Sequence, residues 1–208
     1  MPVRRHGLRV TPVAATVAAL AGRTSFVEGV VLADHALNTD VFGDRAPLAT
    51  RGELVEAAGL LPDPEERRRS LAVARFADGR AESPLESVSR ATMALAGAPP
   101  PELQVRVQDV FGAFARLDFC WPELRLAGEA DGAEKLQHPA FRRFADVRQA
   151  LAARAERDGR IERAGLRVIC WRWTTGRRLD LMREFLRSER VPLEPRRRLA
   201  ELGLESGP

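Results

Sequence analysis

The chain has 208 residues, 45% hydrophobic and 30% charged, which is enough to bury the core of one domain or of one domain with a helical extension. This composition excludes collagen, low-complexity disorder and small disulfide-stapled domains. No apolar run approaches the roughly 18 residues of a membrane span, and the basic start lacks the apolar region of a signal peptide.

The net charge is +4, from 33 basic and 29 acidic residues, and Lys135 is the only lysine among the basic ones. Such an arginine bias is typical of a GC-rich genome, although arginine also suits phosphate binding because its guanidinium is a planar fork. Cys120 and Cys170 lie far apart in apolar runs, so we expect two buried thiols in a cytoplasmic protein.

Residues 1–80 are predicted to form a helical region. Each helix start carries a capping residue, and a proline or a glutamate at the right spacing accompanies it. These starts are Thr11-Pro12, Ser25 with Glu28, Thr50 with Glu53, and Asp63-Pro64. Residues 39–49 read as a loop.

In the second region, residues 81–190, the hydrophobic pattern changes after the first helix. That helix begins at Ser83-Pro84 and ends near Ala96, before a run of three prolines. Period-two alternation then predicts three antiparallel strands, followed by a long helix from Pro139 to about Ala164 and a fourth strand. A helix that crosses over between strands places the last strand parallel to its neighbour, so we expect an α/β fold around a small mixed sheet. An amphipathic helix over 177–189 follows, and 191–208 is a C-terminal tail.

Acidic residues in the second hairpin are the sharpest chemical signal. Asp118, Glu129 and Asp131 lie in strands, where such residues are depleted. If the hairpin turns between Glu123 and Leu124, Asp118 stands opposite Glu129 on one face, and Asp131 points the same way. Carboxylates crowded in this way suit Mg²⁺ or Mn²⁺. A solvated strand face, or a slipped register, is the alternative.

Three further residues are weaker candidates. Glu86 follows Ser83 at the spacing of a capping box, which by itself explains a glutamate there. Lys135 follows the acids closely and could position a water molecule or stabilise charge on a phosphate, or it is an ordinary surface lysine. His138 is near enough to assist.

Four stretches resemble one family of nuclease domains: ESPLESVSR, GAPPPELQVRVQD, ARLDFCWPELRLAGEADG and RDGRIERAGLRVICWRW. They are similar to the very-short-patch-repair-like endonuclease domains of the PD-(D/E)XK superfamily, found in actinobacterial AbiEi-family type IV antitoxin-like proteins. The resemblance covers about residues 81–175 and extends loosely to 8–40. It implies a restriction-endonuclease-like core of helix, three antiparallel strands, crossover helix and strand.

The resemblance assigns roles to residues of the second region. It implies that Glu86, Asp118 and Glu129 hold a divalent metal, with support from Asp131. Gln104 corresponds to a polar position of the first strand, and the pair Arg157 and Asp158 to an arginine–aspartate pair of the crossover helix.

The chain also departs from the family. The superfamily's lysine, two residues after the glutamate, is replaced by Asp131, and Lys135 is the residue that could substitute for it. Ala15 and Ala19 stand where relatives carry Arg and Asp. Relatives have a preceding winged helix-turn-helix, and this sequence begins after the place where that domain would end.

Two functions are therefore expected from the sequence. The first is a Mg²⁺- or Mn²⁺-dependent DNA endonuclease with Glu86, Asp118, Glu129, Asp131 and Lys135 in its active site. The alternative is a non-catalytic regulator, in which a nuclease fold serves as an antitoxin or DNA-binding module with a cognate toxin as partner. Arginines on the helices that flank the sheet are expected to follow the DNA backbone: Arg67 to Arg69, Arg142, Arg143, Arg177 and Arg178.

Overall fold

The computed structural model describes residues 3–5, 7–39, 46–109, 112–130 and 144–204. They divide into two units, one made of Met1–Pro99 with Pro192–Pro208 and the other of Pro100–Val191. The domain limits predicted from the sequence, at residues 80 and 190, stay a prediction.

The first unit is mainly helical. Its elements are β1 (Val3–Arg5), β2 (Leu8–Val10), α1 (Val13–Arg23), α2 (Phe26–Leu37), α3 (Arg51–Gly59), α4 (Pro64–Phe76), α5 (Pro84–Ala96) and, from the end of the chain, α9 (Pro195–Leu202). The predicted capping boxes of Ser25 with Glu28 and of Thr50 with Glu53 are both present. Asp63 caps α4 by accepting from the backbone N–H groups of Glu65 and Glu66. These caps fix the predicted helix starts because they satisfy N–H groups that have no partner inside the helix.

Small aliphatic side chains form the core of the helical unit. Its cluster includes Val30, Ala33, Leu54, Val73 and Ala91, each at most 1% exposed. Alanine is the most frequent residue of this cluster.

The short hairpin of β1 and β2 is not predicted by the sequence. Val3 pairs with Val10 and Arg5 with Leu8, and Gly7 in the loop has a φ of +80°. A positive φ in a tight hairpin loop favours glycine. Strands of three residues are too short for alternation to reveal.

A buried ion pair joins helices α2 and α5. Nη2 of Arg90 donates to both carboxylate oxygens of Asp34, at 2.7 and 2.8 Å. Asp34 is 1% exposed and Arg90 is 7% exposed. Asp34 also accepts from the backbone N–H of Asp78, and the Arg90 guanidinium lies 4.1 Å from the ring centroid of Phe76. Both charges are thus enclosed and compensated inside the unit.

The second unit contains a four-stranded mixed sheet, which confirms the predicted α/β fold. Its strands lie in the order β3 (Glu102–Asp109), β4 (Gly112–Trp121), β5 (Leu126–Ala130) and β6 (Arg167–Trp171). The first three are antiparallel to their neighbours, and β5 and β6 are parallel. Helix α6 (Phe144–Arg163) makes the crossover to β6.

The amphipathic helix predicted over 177–189 is α8 (Leu179–Ser188), and a short helix that was not predicted, α7 (Trp173–Arg177), precedes it. They meet at Arg178, whose backbone is extended, with ψ of 118°. The apolar residues Met182 and Leu186 of α8 are buried.

One face of the sheet packs aromatic rings. The ring centroid of Trp171 lies 5.3 Å from the ring centroid of Phe119 and 5.9 Å from that of Phe185 on α8. Gly128 allows this packing, because a Cβ there would come within 2.8 Å of the Trp171 ring and 3.2 Å of the Trp121 ring. The next residue along β5, Glu129, points to the opposite face.

That opposite face is apolar at one end and polar at the other. Its apolar end includes Cys120 and Ala127, which alternate with Phe119 and Gly128 and belong to a buried cluster with Ile161 of α6. None of the helices within the described ranges is both long and apolar enough to cross a bilayer.

Candidate active site on the sheet face

The predicted opposition of Asp118 and Glu129 depends on the register of β4 and β5. In the structure Phe119 pairs with Gly128 and Trp121 pairs with Leu126, which is the predicted register. If this register continues one residue beyond the pair of Phe119 and Gly128, Asp118 stands opposite Glu129. Both side chains then belong to the same face of the sheet.

Asp118 is oriented by the neighbouring strand. Its Oδ2 accepts a hydrogen bond of 2.9 Å from the backbone N–H of Ala130. This bond holds the carboxylate at the point where β4 and β5 separate, and the side chain is half-buried there.

Glu129 is the most buried acid of this face, with its side chain 12% exposed. Its Oε2 lies 3.2 Å from Nη2 of Arg157, whereas its Oε1 is buried without a hydrogen-bond partner among the described residues. Burial raises the pKa of the Glu129 carboxyl above its ordinary value, although the charge of Arg157 opposes this shift. A buried carboxylate oxygen without a donor is costly, so it marks a place where a positive ligand would be stabilising.

Helix α6 supplies the charges that face these acids. Arg157 also lies 3.5 Å from Oδ1 of the adjacent Asp158, and Arg154 lies 3.8 Å from Oδ2 of Asp158. Positions 154, 157 and 158 recur at three- and four-residue spacing, which places them on one side of the helix. Arg157 and Asp158 are the pair that the family resemblance picked out, whereas Arg154 was missed, although the same spacing could have found it.

Cys170 extends the polar row to the fourth strand. It stands beside Glu129 in the parallel register of β5 and β6, and its Sγ lies 3.2 Å from Nη2 of Arg154. The thiol is exposed, so the prediction that both cysteines are buried is wrong for Cys170 and right for Cys120. Alternation along β6 explains this, because Ile169 and Trp171 point to the aromatic face.

Gln104 stands opposite Asp118 on the other side of β4. Its neighbours Leu103 and Val105 pair with Phe119 and Leu117, and Gln104 itself has a φ of +56°. A non-glycine residue in this conformation costs on the order of 1–3 kcal/mol, and such residues cluster at functional sites. The row of Gln104, Asp118, Glu129 and Cys170 thus crosses all four strands.

Glu86 has a different setting, in the helical unit. Both of its oxygens accept hydrogen bonds at the start of α5: Oε2 from the backbone N–H of Glu82 at 2.9 Å and Oε1 from the hydroxyl of Ser83 at 2.7 Å. Ser83 caps α5 as predicted, because its hydroxyl accepts from the Glu86 N–H, but Glu86 accepts from the N–H of Glu82 and not from that of Ser83, so the predicted capping box is only partly formed. The metal-ligand role that the resemblance gives Glu86 stays a prediction.

Three predicted residues, Asp131, Lys135 and His138, lie outside the described residues. Within the described ranges, no group of three or more His, Cys, Asp and Glu side chains is arranged to hold a metal ion. Asp118 and Glu129 are therefore the two predicted metal ligands that the described part of the sheet unit contains.

Several arginines expected to follow DNA are engaged within the protein. Arg68 and Arg69 pair with Glu65 at 2.7 and 2.9 Å, and Arg178 pairs with Asp180. Arg142 and Arg143 lie outside the described residues. Exposed ion pairs of this kind exchange easily with solvent and salt, so they leave the arginines able to rearrange.

Comparison with known proteins gives relatives without an assigned function. The chain is 46% identical over 77 residues to uncharacterized protein MT2308 of Mycobacterium tuberculosis strain CDC 1551 / Oshkosh and, equally, to uncharacterized protein Rv2248 of strain ATCC 25618 / H37Rv. The match covers 35% of this chain and 28% of each relative. No protein-family model matches the chain. No solved structure matches it either.

Proposed function

We propose that this protein is a Mg²⁺-dependent DNA endonuclease of the very-short-patch-repair-like type, built on a restriction-endonuclease-like core. The observation that carries the proposal is that Asp118 and Glu129 lie next to the last recorded pair of β4 and β5, Phe119 and Gly128, on one face of the sheet, where Arg157 of the crossover helix contacts Glu129. The strand order and directions agree with the core that the resemblance implies.

A divalent cation fits the chemistry of these two acids. Glu129 has one buried oxygen without a donor among the described residues, and its burial raises the pKa of the carboxyl. A cation beside it would supply the missing charge, and hard carboxylate oxygens are the ligands that Mg²⁺ prefers. Asp118 and Glu129 would hold the metal, with Asp131 and Glu86 added by the resemblance. Bound there, Mg²⁺ would polarise a phosphate and lower the pKa of a water molecule.

The chain's own residues then have defined tasks. The Ala130 N–H keeps Asp118 oriented, so this carboxylate needs little reorganisation when substrate arrives. In the hydrolysis, the water oxygen forms a bond to phosphorus, the bond from phosphorus to one sugar oxygen breaks, and a proton from the water ends on that leaving oxygen.

The test is metal-dependent cleavage by the purified chain. Supercoiled, mismatched and single-stranded DNA are incubated with Mg²⁺, Mn²⁺ or Ca²⁺, and products are resolved on gels. We expect cleavage with Mg²⁺ or Mn²⁺, its loss in Asp118→Asn, and its retention in Glu162→Gln, a charge-matched change at an exposed position of α6. Cleavage that persists in Asp118→Asn would contradict the assignment.

The alternative, a non-catalytic antitoxin or DNA-binding regulator of a type IV toxin–antitoxin system, is favoured by one observation. Arg157 already lies 3.2 Å from Glu129, so a protein cation meets part of the charge that a metal would neutralise. Calorimetric titration with Mg²⁺ or Mn²⁺ discriminates the two functions. Binding that disappears in Glu129→Ala supports the enzyme, and no binding at millimolar metal supports the regulator.

A further inference from the structure

Arg157 is in contact with Glu129, the most buried acid of the sheet face. Its Nη2 lies 3.2 Å from Oε2 of Glu129, and its Nε and Nη2 each lie 3.5 Å from Oδ1 of Asp158. These contacts do not use Nη1, and the side chain is 33% exposed. Nε of Arg157 is buried without a hydrogen-bond partner among the described residues, so the side chain is partly enclosed beside Glu129 and partly exposed to solvent.

The sequence immediately around Glu129 lacks a basic residue. Two residues after Glu129 the sequence has Asp131, so it provides no basic residue at that position. The positive charge beside Glu129 comes instead from the crossover helix α6, which carries Arg157.

We infer that Arg157 binds the scissile phosphate of DNA and stabilises the negative charge that grows on its oxygens as water adds and the sugar oxygen leaves. This inference rests on the proposed function and names the residue that contacts the substrate. A guanidinium suits the task because it presents paired donors to phosphate oxygens and stays protonated throughout.

The geometry of the ion pair supports this role over that of a purely structural partner. The enclosed pair of Asp34 and Arg90 has contacts of 2.7 and 2.8 Å to both oxygens and almost no exposure. Arg157 instead holds one oxygen of Glu129 at 3.2 Å and leaves the other without a donor among the described residues. A contact of this length is compatible with a substrate-binding role, because hydrogen bonds of catalytic groups are often long before the substrate binds.

The experiment begins with single-turnover cleavage by three variants. We expect Arg157→Gln to reduce the rate about 10²- to 10³-fold, the usual effect of removing a donor to a developing oxyanion. Arg157→Lys should cleave faster than Arg157→Gln but more slowly than the wild type, since lysine keeps the positive charge and lacks the paired donors of a guanidinium. Arg148→Gln is the matched control, because Arg148 is exposed and helical periodicity places it on the opposite side of α6. Wild-type cleavage by Arg157→Gln would overturn the inference.

Binding separates a phosphate contact from a structural role. Affinity for a short duplex is measured with Ca²⁺ in place of Mg²⁺ over a range of salt concentrations, in the wild-type and Glu129→Gln backgrounds. A phosphate contact predicts that Arg157→Gln weakens binding in both backgrounds and lowers the salt slope by about 1. If Arg157 serves only to neutralise Glu129, its removal changes nothing in the Glu129→Gln background, which would overturn the inference.

Failure of the two proposals can be told apart. A wild-type protein that cleaves no DNA with any metal contradicts the proposed function, and the salt slopes still decide whether Arg157 touches phosphate. A cleaving wild type with an unimpaired Arg157→Gln variant contradicts the inference alone.

Discussion

Each unit of the molecule has a carboxylate–arginine pair next to its core, and the two pairs are built differently. In the helical unit, Arg90 binds both oxygens of Asp34, and a backbone N–H adds a third hydrogen bond. In the sheet unit, Arg157 reaches one oxygen of Glu129 and stays one-third exposed. The first arrangement binds both carboxylate oxygens inside the unit, although Nε of Arg90 is buried without a hydrogen-bond partner among the described residues. The second leaves binding capacity unused, which is the property expected of a site that accepts a ligand.

The largest expected effect follows from breaking the enclosed pair. Asp34→Asn removes the carboxylate that faces Arg90, so an arginine that is 7% exposed would remain without its counter-charge. Loss of one partner of a buried pair costs roughly 3–5 kcal/mol of unfolding free energy. Urea unfolding followed by far-ultraviolet circular dichroism measures this change.

Tryptophan fluorescence and circular dichroism report differently on the two units, because the sheet unit contains all three tryptophans of the chain. These are Trp121, Trp171 and Trp173. Tryptophan fluorescence therefore reports that unit, while circular dichroism includes the helices of the other. A cost below about 1 kcal/mol for Asp34→Asn would show that the pair is not the enclosed structural element described above.

A smaller loss is expected from the cap of α5. Glu86 is 7% exposed, and it resembles Asp34 in that both of its oxygens accept hydrogen bonds. Ser83→Ala removes the hydroxyl that accepts from the Glu86 N–H and donates to its carboxylate. Loss of such a cap costs about 1 kcal/mol.

The same variant addresses the metal-ligand role of Glu86. If capping is its task, Ser83→Ala and Glu86→Gln leave the Mn²⁺ affinity measured by calorimetry unchanged, since neither variant then removes a metal ligand. A large loss of Mn²⁺ affinity in Glu86→Gln would instead place Glu86 among the ligands.

The comparison also shows what local sequence can predict. The register of β4 and β5 followed from where the hairpin turns, because each residue has a fixed opposite once the turn is centred. The pair of Asp34 and Arg90 was missed, since its members are 56 residues apart and no spacing rule links them. Cys170 was placed wrongly because an apolar run does not reveal which side chains of the strand face the aromatic layer.

The counterpart of Asp34→Asn in the sheet unit should change stability much less. Glu129→Gln removes a carboxylate that has one oxygen without a donor among the described residues, and the partly exposed Arg157 still has Asp158 at 3.5 Å. We expect the unfolding free energy to change by less than about 1 kcal/mol in either direction, because functional residues are often not optimised for stability. Urea unfolding followed by tryptophan fluorescence provides the measurement. A loss as large as that of Asp34→Asn would remove the distinction between the two pairs.

The smallest effect concerns a pair that is neither enclosed nor part of the candidate site. Hydrogen bonds from Arg68 and Arg69 lower the pKa of the exposed Glu65 from 4.5 to about 2. A carboxyl whose pKa is lower in the folded state stabilises the fold above its unfolded pKa, and that contribution disappears as the pH falls from about 4.5 to about 2. The melting temperature of Glu65→Gln should therefore lie slightly below that of the wild type at pH 6 and approach it at pH 3.

Salt and a matched variant sharpen this last comparison. Because the groups are exposed, the difference at pH 6 should shrink further in high salt, which screens surface ion pairs. Glu56→Gln is the control, since Glu56 is exposed on α3 and makes no ion pair with the described residues. If the melting temperatures of Glu65→Gln and the wild type differ by the same amount at pH 6 and at pH 3, the ion pair of Glu65 does not contribute to stability through the lowered pKa of its carboxyl.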